Sequence, residues 1–285
     1  MSLSSFEYNV KSQFGEDGVI DEIFKRIKNQ DKICVEFGAW DGEHLSNTWN
    51  LWHNLGWSSY LIECDKEKFD NLEKSIAAFP KVKAINAFVM PEGENSLDNI
   101  LSKTNIPKNF DLLSIDIDGD DYYVFENLNS YRPKAVIVEF NPTVPPHLEM
   151  VQERGQFMGA SALSVIQLGK RKRYKPVHIT DVNIFFIAEE VDGAADFVEL
   201  DLKASFKYTT LVAVITSYDG IPFLSSSLPY KFHLPKLPEP PKMNFINCIK
   251  SIIKSIIRKP TLVRVKLPLF KSKIPFISVN IFKNE

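Results

Sequence analysis

The chain reads as an α/β protein built on a doubly wound, mostly parallel sheet that finishes in an antiparallel hairpin. Three observations predict this. Short apolar runs alternate with stretches of helical periodicity from residue 16 to residue 172. The runs are apolar throughout instead of alternating with polar residues, as strands buried on both faces are. The last two runs, Tyr174 to Ile179 and Val182 to Ile187, lie too close together for a helical crossover and suit a hairpin.

The elements follow in order. Val19, Ile20, Ile23, Phe24 and Ile27 give Glu16–Lys28 an apolar face at helical spacing. Lys32 to Phe37 is a first strand, ended by the turn Gly38-Ala39-Trp40-Asp41-Gly42. Ser46–Leu55 reads as a helix closed by Gly56, and Tyr60–Glu63 as a second strand. A helix over Glu67–Phe79 stops at Pro80. A third strand spans Val82–Val89, and Asp98–Leu101 begins a short helix. Asp111–Asp116 is the fourth strand, Tyr122–Leu128 a helix and Ala135–Phe140 the fifth strand, ended by Asn141-Pro142. Ala160–Lys172 is the last helix before the hairpin.

Ligands of such sheets bind beyond the carboxyl ends of the strands, and here those ends are acidic. The first carries Glu36 before the two-glycine turn, and the second ends in Glu63-Cys64-Asp65. The fourth ends in Asp116-Ile117-Asp118-Gly119-Asp120-Asp121, and the fifth in Glu139-Phe140-Asn141. Glycines at the first turn let the main chain approach a ligand, and a carboxylate at the second strand end can accept both hydroxyls of a ribose. Asp120 or Asp121 equally suits a helix cap.

Val35-Glu36-Phe37-Gly38-Ala39-Trp40-Asp41-Gly42, Leu61-Ile62-Glu63-Cys64-Asp65 and Leu112 to Gly119, preceded by Ser12-Gln13-Phe14-Gly15-Glu16-Asp17-Gly18, resemble the FkbM-type branch of class I S-adenosylmethionine-dependent methyltransferases. The resemblance covers roughly residues 12–190. It implies a Rossmann-like fold, whose closing antiparallel hairpin is the one expected above, and S-adenosyl-L-methionine as cofactor. It further implies that Glu36, Gly38 and Gly42 line the methionine part and that Glu63 holds the ribose. Asn86, Ala87 and Phe88 would lie near the adenine, and Asp116 would face the cofactor amine or the acceptor. Gln13, Ala39, Asp41 and Asp65 join the same cofactor-binding set. Trp40, between the glycines, either packs under the turn or closes over the ligand.

Methyl transfer to a hydroxyl needs an aligned acceptor oxygen and a base. Asp118 is the first candidate, with Asp120, Glu139 and His147 as further catalytic candidates; His44 suits capping or packing as well. Asp116, Asp118 and Asp120, with Glu139, would also suit a hard cation such as Mg2+, although the spacing is not that of an EF-hand. The resemblance points to a sugar hydroxyl, in a glycan or a lipid-linked saccharide, as acceptor. Rival readings are a non-catalytic binding or scaffold protein of the same fold, and a nicotinamide-dependent oxidoreductase. The two-glycine turn and the hairpin disfavour the second.

Composition, with 44% apolar and 25% charged residues, is that of an ordinary globular protein. Charge is unevenly placed: Lys242 to Glu285 carry ten basic residues and one acidic, about +9, so the remainder carries about −11 of the total −2. An acidic body argues against nucleic-acid binding there. Asn141-Pro142 follows the fifth strand without a following aromatic, unlike the motif of nucleic-acid N-methyltransferases. Cys34, Cys64 and Cys248 form no metal-type spacing and fit a reducing cytoplasm. Residues 1–11 hold no apolar run of the signal-peptide kind, and no stretch approaches a membrane span.

The expected divisions are a Rossmann-like domain over 1–190, a proline-rich connector over 191–241 and a basic tail over 242–285. Phe245, Ile246, Ile249, Ile252, Ile253, Ile256 and Ile257 recur at helical spacing with Lys250, Lys254 and Arg258 interleaved. This amphipathic pattern suits an anionic membrane surface, so the cytoplasmic membrane face, and suits docking on a partner or on the catalytic domain equally well. Leu262 to Phe282 reads as strand-like or extended.

Overall fold

A computed structural model describes residues 2–207 and, by backbone alone, four short strands beyond them. Two compact units divide the chain, Met1–Pro229 and Tyr230–Glu285.

The first unit contains the expected alternation. In order it comprises α1 (Glu16–Arg26), β1 (Ile33–Phe37), α2 (Trp49–His53), β2 (Ser58–Glu63), α3 (Lys66–Ile76) and β3 (Val82–Asn86). Then follow α4 (Leu97–Ser102), β4 (Leu112–Ile115), α5 (Asp121–Asn127), β5 (Ala135–Glu139), α6 (Ala162–Arg171), β6 (Tyr174–Ile179) and β7 (Asn183–Ala188). The seven strands lie in the order β3-β2-β1-β4-β5-β7-β6. β1 to β5 are parallel, and β7 runs antiparallel to both β5 and β6. This is the Rossmann-like, doubly wound sheet with a closing hairpin that the apolar runs predict. After α7 (Leu202–Ser205), β8 (Val214–Thr216) pairs antiparallel with β9 (Pro222–Leu224). In the second unit β10 (Val265–Pro268) pairs antiparallel with β11 (Phe276–Val279). The amphipathic stretch from Phe245 to Arg258 lies outside the described residues. None of the described helices is long and apolar enough to cross a membrane.

Both faces of the sheet are covered, which is why the central strands show no polar alternation. On one face Val35, Phe37, Leu113, Ile115, Val136 and Val138 pack with Leu101 of α4, Phe125 of α5 and Val165 of α6. On the other, Cys34, Leu112 and Ile137 meet Val19, Ile20, Ile23 and Phe24 of α1. Leu61 joins Trp52 of α2 and Phe69 and Leu72 of α3. Helix starts are fixed by side chains: Asp65 accepts the N–H groups of Glu67 and Lys68 at α3, Ser96 that of Asn99 at α4 and Ser161 that of Ser164 at α6.

Several elements are shorter than their sequence patterns, and for α2 and β3 the cause is visible. α2 begins at Trp49, not Ser46, because Ser46 and Thr48 donate their hydroxyls to Glu36 and their backbone follows. β3 stops at Asn86, not Val89, because the Asn86 amide turns to the carbonyls of Glu63 and Cys64.

Candidate active site

The end of β1 is built around a buried carboxylate. Glu36 is 5% exposed, and its oxygens accept Ser46 Oγ and Thr48 Oγ1, each at 2.6 Å, and the Asn47 N–H at 2.8 Å. Burial pushes Glu36 above the usual carboxylate range against these three donors. Its oxygens are thus engaged with the 46–48 loop, and Glu36 ties that loop to the end of β1 instead of presenting a free carboxylate.

The glycine turn then crosses the edge. Gly38 has φ +75°, and a Cβ there would fall 1.8 Å from the carbonyl oxygen of Asp116, so β1 and β4 can close only over a glycine. Ala39 donates its N–H to Ile62 on β2, and Gly42 turns back to Ala39 at 2.7 Å. Trp40, also left-handed at φ +50°, donates its N–H to Glu63 at 2.8 Å. Of the two readings left open for Trp40, the structure gives an exposed ring: it lies beside His44, with Lys68 Nζ 3.6 Å from its centroid. Asp41 accepts the N–H groups of Glu43 and His44 and stabilises the turn.

Glu63 is buried at the end of β2 with one backbone N–H on each oxygen, from Trp40 and from Asp65, both at 2.8 Å. Each oxygen keeps lone-pair capacity for a second donor, which is what a ribose diol needs. Asp65, expected in the cofactor set, is occupied as the α3 cap. Ala87 binds the Glu63 carbonyl through its N–H, and the neighbouring Phe88 is exposed.

At the next two strand ends Asp116, Asp118 and Glu139 offer carboxylate oxygens that all lie within 4.8 Å of one another. Burial first, then repulsion from neighbouring carboxylates, pushes Asp116 and Glu139 well above their ordinary values. Their carboxylates meet in the cluster, so the pair holds on to a proton above the usual carboxylate range. Asp118 is exposed and left-handed, at φ +57°.

Asp120, expected beside Asp116 and Asp118 as base or metal ligand, is not in this cluster. Its carboxylate turns to the loop after β5 and accepts Gln152 Nε2 and the Gly155 N–H, each at 2.9 Å. Nor does its side chain cap α5. Glu139 takes its place among the three carboxylates. Asp121, which reads from sequence as a possible cap, accepts the N–H groups of Ile117 and Gly119 and so holds the turn that carries Asp118. Burial raises Asp121 to about 6. His147 is exposed on the loop after β5, with no hydrogen bond or ion pair to the described residues.

Sequence reasoning placed Gln13 of the N-terminal segment in the cofactor set but missed the bonds that fasten this segment along the edge. Asp17 accepts the N–H groups of Val10, Lys11 and Ser12 and the Ser12 hydroxyl. Glu16 accepts the N–H groups of Gln13 and Phe14 and reaches Thr180 and Asn183 at the β6–β7 turn. Asn183 lies opposite Glu139 in the sheet, while Lys11 pairs with Glu43 after the glycine turn. Exposed Gln13 therefore belongs to a strap across the carboxyl edge. The run of Asp17 and Ser12 beside a helix start was the available signal. A cavity of about 250 Å³ lined by Leu3, Arg26, His178 and Phe197 shares no residue with this edge.

No protein-family model matches the chain, and no curated protein matches it. Solved structures resemble it at low identity. The N-terminal domain of EvdMO1, in the presence of SAH and D-fucose, is 10% identical over 61% of this chain and 82% of that one, with a TM-score of 0.43. A SAM-dependent methyltransferase from Aquifex aeolicus is 12% identical over 65% and 95%, with a TM-score of 0.38. The glycopeptide N-methyltransferase MtfA, complexed with SAH, is 13% identical over 65% and 95%, also at 0.38.

Proposed function

We propose that this chain transfers the methyl group of S-adenosyl-L-methionine to a hydroxyl of a saccharide, in a glycan or a lipid-linked saccharide. The observation that supports this reading most is the meeting, on one edge of the sheet, of the Gly38–Gly42 turn, Glu63 and the Asp116–Asp118–Glu139 cluster. The cofactor, when bound, supplies a methyl group on a positively charged sulfonium. In this reading Gly38 leaves the main chain bare where the ligand lies, and Glu63 accepts the ribose hydroxyls. The cluster supplies negative charge on the acceptor side of the edge. Asp118, the exposed member, accepts the acceptor's hydroxyl proton. The half-buried Asp116–Glu139 pair, holding on to a proton, lies beside it.

The three carboxylates also fit a divalent cation such as Mg2+, being hard oxygen donors gathered at one point. Asp116, Asp118 and Glu139 would hold such an ion, which would supply positive charge for an acceptor oxygen. The basic amphipathic pattern from Phe245 to Arg258 supports an acceptor made at the cytoplasmic membrane face.

The test is incubation with labelled S-adenosylmethionine and a panel of nucleotide sugars and glycan extracts, with and without chelator. Label in a saccharide is the expected result. Loss of label with chelator assigns the cation. Glu63→Ala should weaken cofactor binding by roughly 10- to 100-fold in calorimetry. Asp118→Ala should keep that affinity and slow transfer by about 10²-fold or more. Undiminished affinity in the Glu63 variant removes the ribose assignment. A wild-type chain that gives no heat with S-adenosylmethionine removes the transferase reading and favours a non-catalytic protein.

A further inference from the structure

The chain between β5 and α6 folds back onto the carboxylate edge and is fastened there at several points. Gln152, 5% exposed, donates to Asp120 and to the Gln156 carbonyl, and its oxygen accepts the N–H groups of Met158 and Gly159 at 2.6 Å. Tyr123 of α5 donates to the Gln152 carbonyl at 2.6 Å. A buried amide with all its capacity used holds a loop in one shape.

The fastening points place this loop between the two strand ends that carry the cluster. On the β4 side a Cβ on Gly119, the residue after Asp118, would come within 2.8 Å of the Gln156 carbonyl oxygen. On the β5 side Asn141, two residues after Glu139, donates its N–H to Ala160 at 2.8 Å and its side-chain amide to Met158 at 2.7 Å. Between those anchors the loop presents Phe157, 84% exposed, and Met158, 53% exposed. A large apolar ring on a loop whose backbone is this well bonded gains nothing from the fold by standing in water.

We propose that Phe157 is the platform on which the acceptor's ring stacks, and that the acceptor is a pyranose. A pyranose carries hydroxyls around its rim and C–H groups on its faces. The C–H face suits the electron-rich face of an aromatic ring, and the rim hydroxyls suit carboxylate acceptors. Phe157 and the Asp118–Glu139 oxygens, carried on adjoining chain segments, offer both halves of that match. Asp120 then has a role the sequence did not suggest: it is a positioning residue that fixes the loop through Gln152 and Gly155. This inference rests on the transferase reading for its reaction, though not for its contact.

Saturation-transfer NMR on the full chain tests it, with methyl α-pyranosides of glucose, galactose and rhamnose as probes and irradiation of aromatic protein protons. The expected result is transfer to ring C–H protons of at least one glycoside. Phe157→Ala should weaken that binding by roughly three- to tenfold. Val198→Ala, an exposed apolar residue elsewhere, should leave it unchanged. Because Phe157 touches solvent, its variant should fold, which circular dichroism checks. Wild-type transfer in Phe157→Ala, or no transfer from any probe to the wild-type chain, overturns the proposal. Calorimetry with S-adenosylmethionine on the same samples separates the two readings. Cofactor binding without glycoside transfer removes the platform alone, and glycoside transfer without cofactor binding removes the transferase alone.

Discussion

Asp116, Glu139 and Asp121 make the candidate site costly to fold at neutral pH. Asp121 has an ordinary value of 3.8 and is raised by burial to about 6 in the folded chain. The folded state therefore binds an extra proton between those values. Asp121's contribution to stability is full below about pH 4 and is lost as pH rises through about 6. Asp116 and Glu139 are raised as well, so their contributions run the same way. Asp116→Asn and Glu139→Gln should each stabilise the chain at pH 8 by roughly 1–2 kcal/mol, since a neutral amide removes the like charge. They should also flatten the dependence of melting temperature on pH between 5 and 8, relative to wild type. A variant with an unchanged slope would show that the cluster ionises freely.

A cation would act on the same proton. Mg2+ or Ca2+ bound at the cluster should release a proton, seen as a binding heat that varies with the ionisation enthalpy of the buffer. A heat independent of buffer would place the ion elsewhere. Acidic strand ends were legible at this scale because the sequence sets each carboxylate directly after an apolar run. Which carboxylates meet was not legible. Asp118, Asp120 and Asp121 are near neighbours in sequence, yet the left-handed Asp118 sends their side chains to a cluster, a loop and the turn's own N–H groups.

Among the elements, the contact of β1 with β4 sets the edge. Gly38→Ala would place a methyl group against the Asp116 carbonyl and strain a left-handed residue, and should cost roughly 2 kcal/mol or more. Thermal unfolding measures this, and a neutral outcome would mean that the two strand ends part freely. At the other end of the same strands, fully buried Asp111 accepts the N–H groups of Asp31 and Ile33 and pairs with Lys134 at 2.8 Å. Asp111→Ala strands those donors and a charge together, and should cost about 3 kcal/mol or more in urea unfolding. Both faces of β1, β2, β4 and β5 are buried, which left unbroken apolar runs readable from sequence. α2 was harder to read because Glu36 competes with the helix for Ser46 and Thr48.

On the scale of the molecule, the mostly parallel sheet and its closing hairpin were legible from the alternation of elements and from the short gap before the last strand. The strap of residues 8–16 was not, because its partners are distant in sequence: Glu16 meets Thr180 and Asn183, and Lys11 meets Glu43. The strap couples the closing hairpin to the glycine turn. Asp17→Ala should release it, raising amide hydrogen exchange over residues 9–15 while the β4 and β5 core stays protected. Uniformly faster exchange would show that the strap supports the whole sheet.

The placement of Trp40 gives the molecule an optical gauge. Of the four tryptophans, Trp52 and Trp57 are buried and Trp49 is stacked on His53. Trp40 stands 44% exposed, with its own main chain tied to Glu63. Its emission should respond first when anything settles on that carboxylate, so occupancy there can be followed by fluorescence in the unlabelled, unmodified chain.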